Sequence, residues 1–297
     1  MVDISRATTG VNLPPAVSGE IWGATQEASA VMRLARQVRL PGSGVSIPVV
    51  TGDAAANWVA ETDEKPVSRS TLDNRTMTPY KLAVIEPFSN EFRRDLPGLY
   101  AELARRLPGA LAKRFDQTVF DASVAAPGSN FDKLSGATAV GIAGNTWAGL
   151  VAAVNAVSTG GGDVNGWALS PQGRGVLFGE TDSQGRPLFL NGVASGDVPQ
   201  LLGAPVEISK GVYAADADAA GAGTDAQYGY VGDWTSALYG TVEGVQVSIS
   251  DQATINDGGT QLNLWQRNMF AIRAEIEIGF RVRDLAHFAK LTSATQA

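Results

Sequence analysis

Between Asn268 and Arg283 the chain reads NMFAIRAEIEIGFRVR. Phe270, Ile272, Ala274, Ile276, Ile278, Phe280 and Val282 occupy one set of alternating positions; Arg273, Glu275, Glu277, Arg281 and Arg283 occupy the other. A period of two places the first set on one face of a strand and the second on the opposite face. This is a long strand with one buried and one charged side, and it needs a cover for its apolar face. Immediately upstream, Val242, Val245, Val247 and Ile249 mark a second strand.

A segment far earlier in the chain has a different period. Leu99, Leu103, Leu107, Leu111, Phe115 and Val119 recur at helical spacing. Asp95 followed by Pro97 reads as an N-cap and first turn, so the longest helix is expected from there to about Ala125. Pro108 lies within it and predicts a kink, because proline removes one backbone bond and crowds the carbonyl of Ala104.

Between these two landmarks the chain alternates short elements. Asn145 caps a helix through Ala148, Val151, Val154 and Val157; Trp167 and Leu169 read as a short strand; Ser170–Pro171 opens another helix. Leu202–Ile208 and Gln227–Val231 read as strands, and Ala214–Ala226 as a flexible connector. The fold class is therefore mixed α+β.

The N-terminal third is organised differently. Met1–Pro15 shows no periodicity and reads as an extended arm. Ser18 caps an expected helix through Ile21, Ala24, Ala28, Val31, Ala35 and Val38, ended by Pro41–Gly42. Val45, Ile47 and Val49 form a strand, and Tyr80, Leu82 and Val84 another, joined by a long polar excursion from Thr51 to Thr78. Loops of that length in compact domains are functional or pack on a partner. Trp58 and Val59 near its tip favour a partner, with Glu61, Asp63, Glu64 and Lys65 beside them.

Composition narrows the chemistry. With 297 residues, 44% of them hydrophobic, the chain supports a large core, and 18% charged residues argue against global disorder. A net charge of −7 weakens direct non-specific duplex DNA binding, which depends on dense Lys and Arg. With no cysteine, disulfides, thiolate metal sites and cysteine nucleophiles are excluded; with His287 as the single histidine, so is a multi-histidine metal site. Met1–Gly10 lacks the apolar run of a secretory signal, and no apolar stretch is long enough to span a bilayer, so the chain reads as soluble. Walker A, GxGxxG and GxSxG patterns do not occur. His287 reads as a packed or surface histidine, Glu275 and Glu277 as part of an ion-paired strand face. Asp216, Asp218 and Asp225 lack EF-hand spacing, and Asp251, Asn256 and Asp257 read as turn residues around Gly258–Gly259. No catalytic residue, cofactor or metal is expected. The densest basic sites, Arg93–Arg94 and Arg105–Arg106, suit salt bridging on a helix surface or contact with an acidic neighbouring chain.

Four segments in order resemble the major capsid proteins of tailed bacteriophages with the Hong Kong 97-type fold. WVAETDEKPVS (Trp58–Ser68) looks like that family's extended-loop tip and ELARRLPGALAKRFDQTVFDA (Glu102–Ala122) like its spine helix. WALSPQGRGVLFGETDSQGRPLF (Trp167–Phe189) resembles its strand–helix–loop block, and GYVGDWTSALYGTVEGVQVSIS (Gly229–Ser250) its return to the peripheral domain. The resemblance covers nearly the whole chain. It implies an N-arm and short helix at 1–40, an extended loop at 41–80, a peripheral domain with spine helix at 81–125 and 240–297, and an axial domain at 126–239. Arg186 would lie in a loop close to the axis. Function would be self-assembly into the hexamers and pentamers of an icosahedral head enclosing dsDNA. The implied partners are further copies, a separate scaffolding protein, a portal protein and a possible decoration protein, with packaged DNA held without sequence-specific contacts and no membrane. Assembly would take place in the host cytoplasm.

Three competing readings share parts of this pattern: an encapsulin-like compartment shell, a self-crosslinking shell and a soluble hydrolase. Crosslinking would join Lys65 to Asn256 or Asn263, with Glu243 as a desolvated base; Lys65–Pro66 within an acidic cluster argues against a neutral lysine. The hydrolase lacks a usable nucleophile–base pair.

Overall fold

The computed structural model describes residues 15–52, 54–61, 64–91, 96–181, 186, 188–189, 198, 200–215 and 225–295. The elements within them are, in chain order, α1 (Pro15–Ala28), α2 (Ala30–Leu34), β1 (Arg36–Arg39), β2 (Val45–Gly52), β3 (Thr71–Met77), β4 (Tyr80–Ser89), α3 (Leu96–Phe120), β5 (Thr138–Ala143), α4 (Thr146–Thr159), β6 (Gly166–Leu169), α5 (Pro171–Gly179), β7 (Gln200–Leu201), β8 (Ala204–Ile208), β9 (Gln227–Gly232), β10 (Ala237–Thr241), β11 (Gln246–Ser250), β12 (Thr254–Asp257), β13 (Thr260–Asn263), β14 (Met269–Val282) and β15 (Phe288–Thr295).

The alternating stretch is β14, and it is the axis of the first sheet. β4 pairs antiparallel along Met269–Ile278, while β10 and β11 take the other edge in succession and β1 extends β10 in parallel. Its apolar face is covered by α3. Leu107 and Leu111 bury against Phe270, Ile272, Ala274 and Ile276; Phe115, Val119 and Phe120 pack with Ile278, Phe280 and Val282. Phe115, Phe131 and Phe280 form a ring cluster with centroids 6.0–6.4 Å apart. On the opposite face Lys81 lies 3.6 Å from both Glu275 and Glu277, and Arg273 lies 3.4 Å from Glu275.

The second sheet has the order β5-β15-β9-β6-β8-β7. Leu150, Ala153 and Val157 of α4 and Leu177 of α5 pack on Trp167, Leu169, Val231, Ala289 and Leu291. The side chains of Asn145 and Ser170 accept from the amides of Ala148 and Gly173, so both expected caps are present.

Several local expectations are corrected. α1 starts at Pro15, whose fixed φ suits a first helical turn, so Ser18 lies inside the helix. The helical pattern after Ser29 breaks at Ala35, because Arg36–Arg39 gain a ladder on the edge of β10. The return limb Thr71–Met77 of the polar excursion is a strand; it pairs with β2 without a buried stripe, so alternation did not mark it. The spine helix ends at Phe120 rather than near Ala125. The last strand, β15, lies inside the second sheet, parallel to β5 and antiparallel to β9, although the sequence boundaries group it with the first.

Candidate assembly interface

The β2–β3 hairpin projects from the first sheet, and its base is fixed by chemistry that the sequence did not reveal. Gly240 and Gly279 are register partners on β10 and β14. A Cβ on Gly240 would lie 2.5 Å from Leu40 and 2.7 Å from the Met77 sulfur, so the glycine pair leaves the dent in which Leu40 and Met77 are buried. Gly44, at φ +83°, turns the chain out into β2.

A polar clamp then sets the direction. The Arg281 guanidinium donates to the Asp132 carboxylate at 2.7 Å, to Asn130 Oδ1 at 2.9 Å and to the backbone oxygen of Thr76 at 2.8 Å. Arg75 of β3 donates to the Val282 carbonyl at 2.7 Å. Asp132 also accepts from the Val282 amide at 3.0 Å. Charge-assisted bonds of this kind are geometrically demanding, and here they join β3, at the base, to the end of β14 and to Asn130 and Asp132.

Among the described residues, the loop beyond the base has no cover. Every described residue from Ala54 to Thr71 is exposed, and Trp58 has 104% of its reference surface accessible. Glu61, Glu64 and Lys65 are exposed beside it; Asp63 lies outside the described residues. The Ala55 amide donates to Ser68 Oγ at 2.8 Å, tying the limbs of the loop together.

The basic candidates divide. Arg93 and Arg94 lie outside the described residues, Arg105 belongs to α3, and Arg106 is exposed on that helix together with Lys113 and Arg114. Arg186 is exposed between α5 and β7, far along the chain from the hairpin. Thus the extended-loop candidates Trp58, Glu61, Glu64 and Lys65 fall on one tip, while the spine and axial-loop candidates sit on other elements.

The crosslinking candidates are locally engaged. Asn256 Oδ1 accepts from the Gly259 amide at 2.9 Å and Asn263 Oδ1 from the Gln266 amide at 3.2 Å. Glu243 is exposed and accepts from Gln246 at 2.7 Å, which removes the expected desolvation. His287 is half-buried with Nδ1 2.6 Å from Ser236 Oγ. Asp216 and Asp218 lie outside the described residues. Among the described residues, no group of three or more His, Cys, Asp or Glu is arranged to hold a metal ion, and no helix is long and apolar enough to cross a membrane.

Two features escaped sequence reasoning. Asp116, on α3, is fully buried; its carboxylate accepts from Ser29 Oγ and Ser209 Oγ at 2.6 Å each and from the Ala30 and Val31 amides at 3.0 and 3.4 Å. It joins the start of α2, the spine helix and the end of β8. Burial pushes its pKa from 3.8 to about 6, against the opposing pull of Ser209, Ser29 and the two amides. An acid inside an otherwise apolar helical stripe was the only signal in the sequence. The second feature is an apolar patch near the end of the second sheet, where Trp147, Leu188 and Leu202 are each 43–49% exposed around a cavity of about 510 Å³.

Comparison with known proteins gives this arrangement a lineage. The family model described as the phage capsid family matches residues 9–293. The probable major capsid protein of Mycobacterium phage L5 is 30% identical over 96% of this chain and 91% of its own length; that of Mycobacterium phage D29 is 29% identical over 95% and 90%. A solved structure from Mycobacterium phage Ogopogo superposes with a TM-score of 0.73 at 21% identity, over 91% of this chain and 93% of that one. The fold is the Hong Kong 97-type capsid fold, and the chain belongs to the phage capsid family.

Proposed function

We propose that this chain is a structural major capsid protein whose copies assemble into the hexamers and pentamers of an icosahedral phage head enclosing double-stranded DNA. One observation supports this most directly. A hairpin with a rigid base ends in a fully exposed tryptophan, a liability for a lone subunit and an anchor for one that docks on its neighbours. Many such contacts closed by symmetry give a stable shell without a catalytic centre.

In this reading 41–80 forms the extended loop, 81–125 and 240–282 the peripheral domain with its spine helix, and 126–239 the axial domain, joined by the last strand. The exposed patch of Trp147, Leu188 and Leu202 supports contacts between axial domains around the capsomer centre. Arg93, Arg94, Arg105 and Arg106 serve inter-subunit contacts, and Arg186 faces the axis. The acidic balance suits a wall that must not bind its packaged DNA tightly. Scaffolding and portal proteins, a decoration protein and assembly in the host cytoplasm belong to the same reading.

Electron microscopy of the native particle, with a boiled denaturing gel of the same sample, tests it. Closed icosahedral shells filled with DNA are expected, with a single band near the 30.9 kDa subunit mass. Shells filled with protein would favour an enzyme compartment, and a ladder of multiples would show covalent crosslinking. A monomer that forms no shell under any assembly condition would overturn the proposal.

A further inference from the structure

A second apolar feature lies beside the spine helix. Between α3 and the start of β4 runs a groove of about 240 Å³, floored by Leu82, Phe115, Phe131 and Ile278, with Arg114 and Thr118 on its helix side. An apolar cavity of about 150 Å³ accepts a benzene ring, so this groove has room for an indole. Resting on the shell reading above, we propose that Trp58 of one copy inserts into this groove of a second copy, with Glu61 and Glu64 of the tip against Arg114.

Reach requires a second copy. The paired limbs run from Val45–Met77 to Gly52–Thr71, which at about 3.3 Å per residue carries the tip about 23 Å from the base, and Trp58 lies beyond that. Tyr80, at the mouth of the groove, follows the base directly in sequence. The Arg281–Asp132 clamp and the buried Leu40–Met77 pair hold the hairpin at its root, so the tip does not fold back onto its own groove.

The chemistry at the two ends matches. A buried indole N–H needs an acceptor, and Thr118 Oγ1, which donates to the Arg114 carbonyl at 2.9 Å, retains lone pairs to accept it. Lys81 of β4 is engaged elsewhere, its ammonium between Glu275 and Glu277 on the far face of the sheet. Arg114 is exposed and, among the described residues, has no carboxylate within ion-pair distance. The tip carries Glu61, Asp63 and Glu64 against Lys65, so it brings net negative charge to the free cation.

The absence of native cysteine makes a direct test clean. Shells assembled from a Val59→Cys/Thr118→Cys variant are expected to form inter-subunit disulfides, seen as multiples on a non-reducing gel. Shells of a Val59→Cys/Ser158→Cys control, whose second cysteine sits on the exposed side of α4, are expected to stay monomeric on the gel. Intact shells with no disulfide in the first variant would overturn the docking while leaving the shell reading standing. Failure of the unmodified protein to form shells would overturn the shell reading itself. A second measurement is independent of cysteine: Arg114→Glu is expected to lower shell yield about tenfold, and adding Glu61→Arg and Glu64→Arg to restore it. A further loss in place of rescue would also overturn the proposal.

Discussion

The spine-helix core and the extended hairpin are built on opposite terms. In the core, α3 and β14 satisfy each other: one helical stripe meets one strand face, and Phe280 is wholly buried among aromatic neighbours. In the hairpin, β2 and β3 pair with each other and are tied to the sheet only at the base, and the described side chains between Ala54 and Thr71 are exposed. The first region explains why a subunit folds. The second is explained only by what lies outside the subunit. Substitutions in the core should therefore change folding, and substitutions at the tip should change assembly alone.

The largest effect on folding is expected at Phe280. Phe280→Ala removes a ring from a closed cluster and should cost about 3–5 kcal/mol in urea unfolding of the released subunit. A loss below about 1 kcal/mol would mean that the core is looser than its packing indicates.

Asp116 gives a pH signature. Its carboxyl holds a proton more tightly when folded, at about 6, than when unfolded, at 3.8. Its contribution to stability is complete below 3.8 and is lost as the pH rises through about 6, a change on the order of 3 kcal/mol. The difference in unfolding free energy between wild type and Asp116→Asn should follow that curve. A difference that stays flat across the window would show that Asp116 titrates as an ordinary acid.

At the hairpin base, Arg281→Ala should cost about 2 kcal/mol, because it strips charge-assisted bonds from Asp132, Asn130 and Thr76. It should also make the hairpin more sensitive to limited proteolysis, and unchanged cleavage rates would place the control of hairpin direction elsewhere. The smallest effect on folding is expected at the tip. Trp58→Ala should leave subunit unfolding within about 0.5 kcal/mol of wild type while lowering shell yield several-fold. Normal yield would erase the contrast between the two regions.

Legibility in the sequence followed the range of the forces involved. The faces of β14, the stripe of α3 and the caps at Asn145 and Ser170 arise from residues a few positions apart, and all were readable. The tip candidates were readable too, since Trp58 among charges is conspicuous wherever it lies. Four sequence segments in order also pointed to the family. β3 and β1 were missed because their strand character comes from a partner's ladder, not from their own side-chain pattern.

The sequence by itself determined the α+β class, the spine helix, the long alternating strand and the exposed tongue, because local periodicity and capping chemistry encode them. The tertiary structure alone decided that β15 crosses into the second sheet, that Gly240 and Gly279 make a seat for Leu40 and Met77, and that Asp116 ties three distant segments together. These depend on hydrogen bonds and close contacts between residues tens to hundreds of positions apart, which no local pattern records.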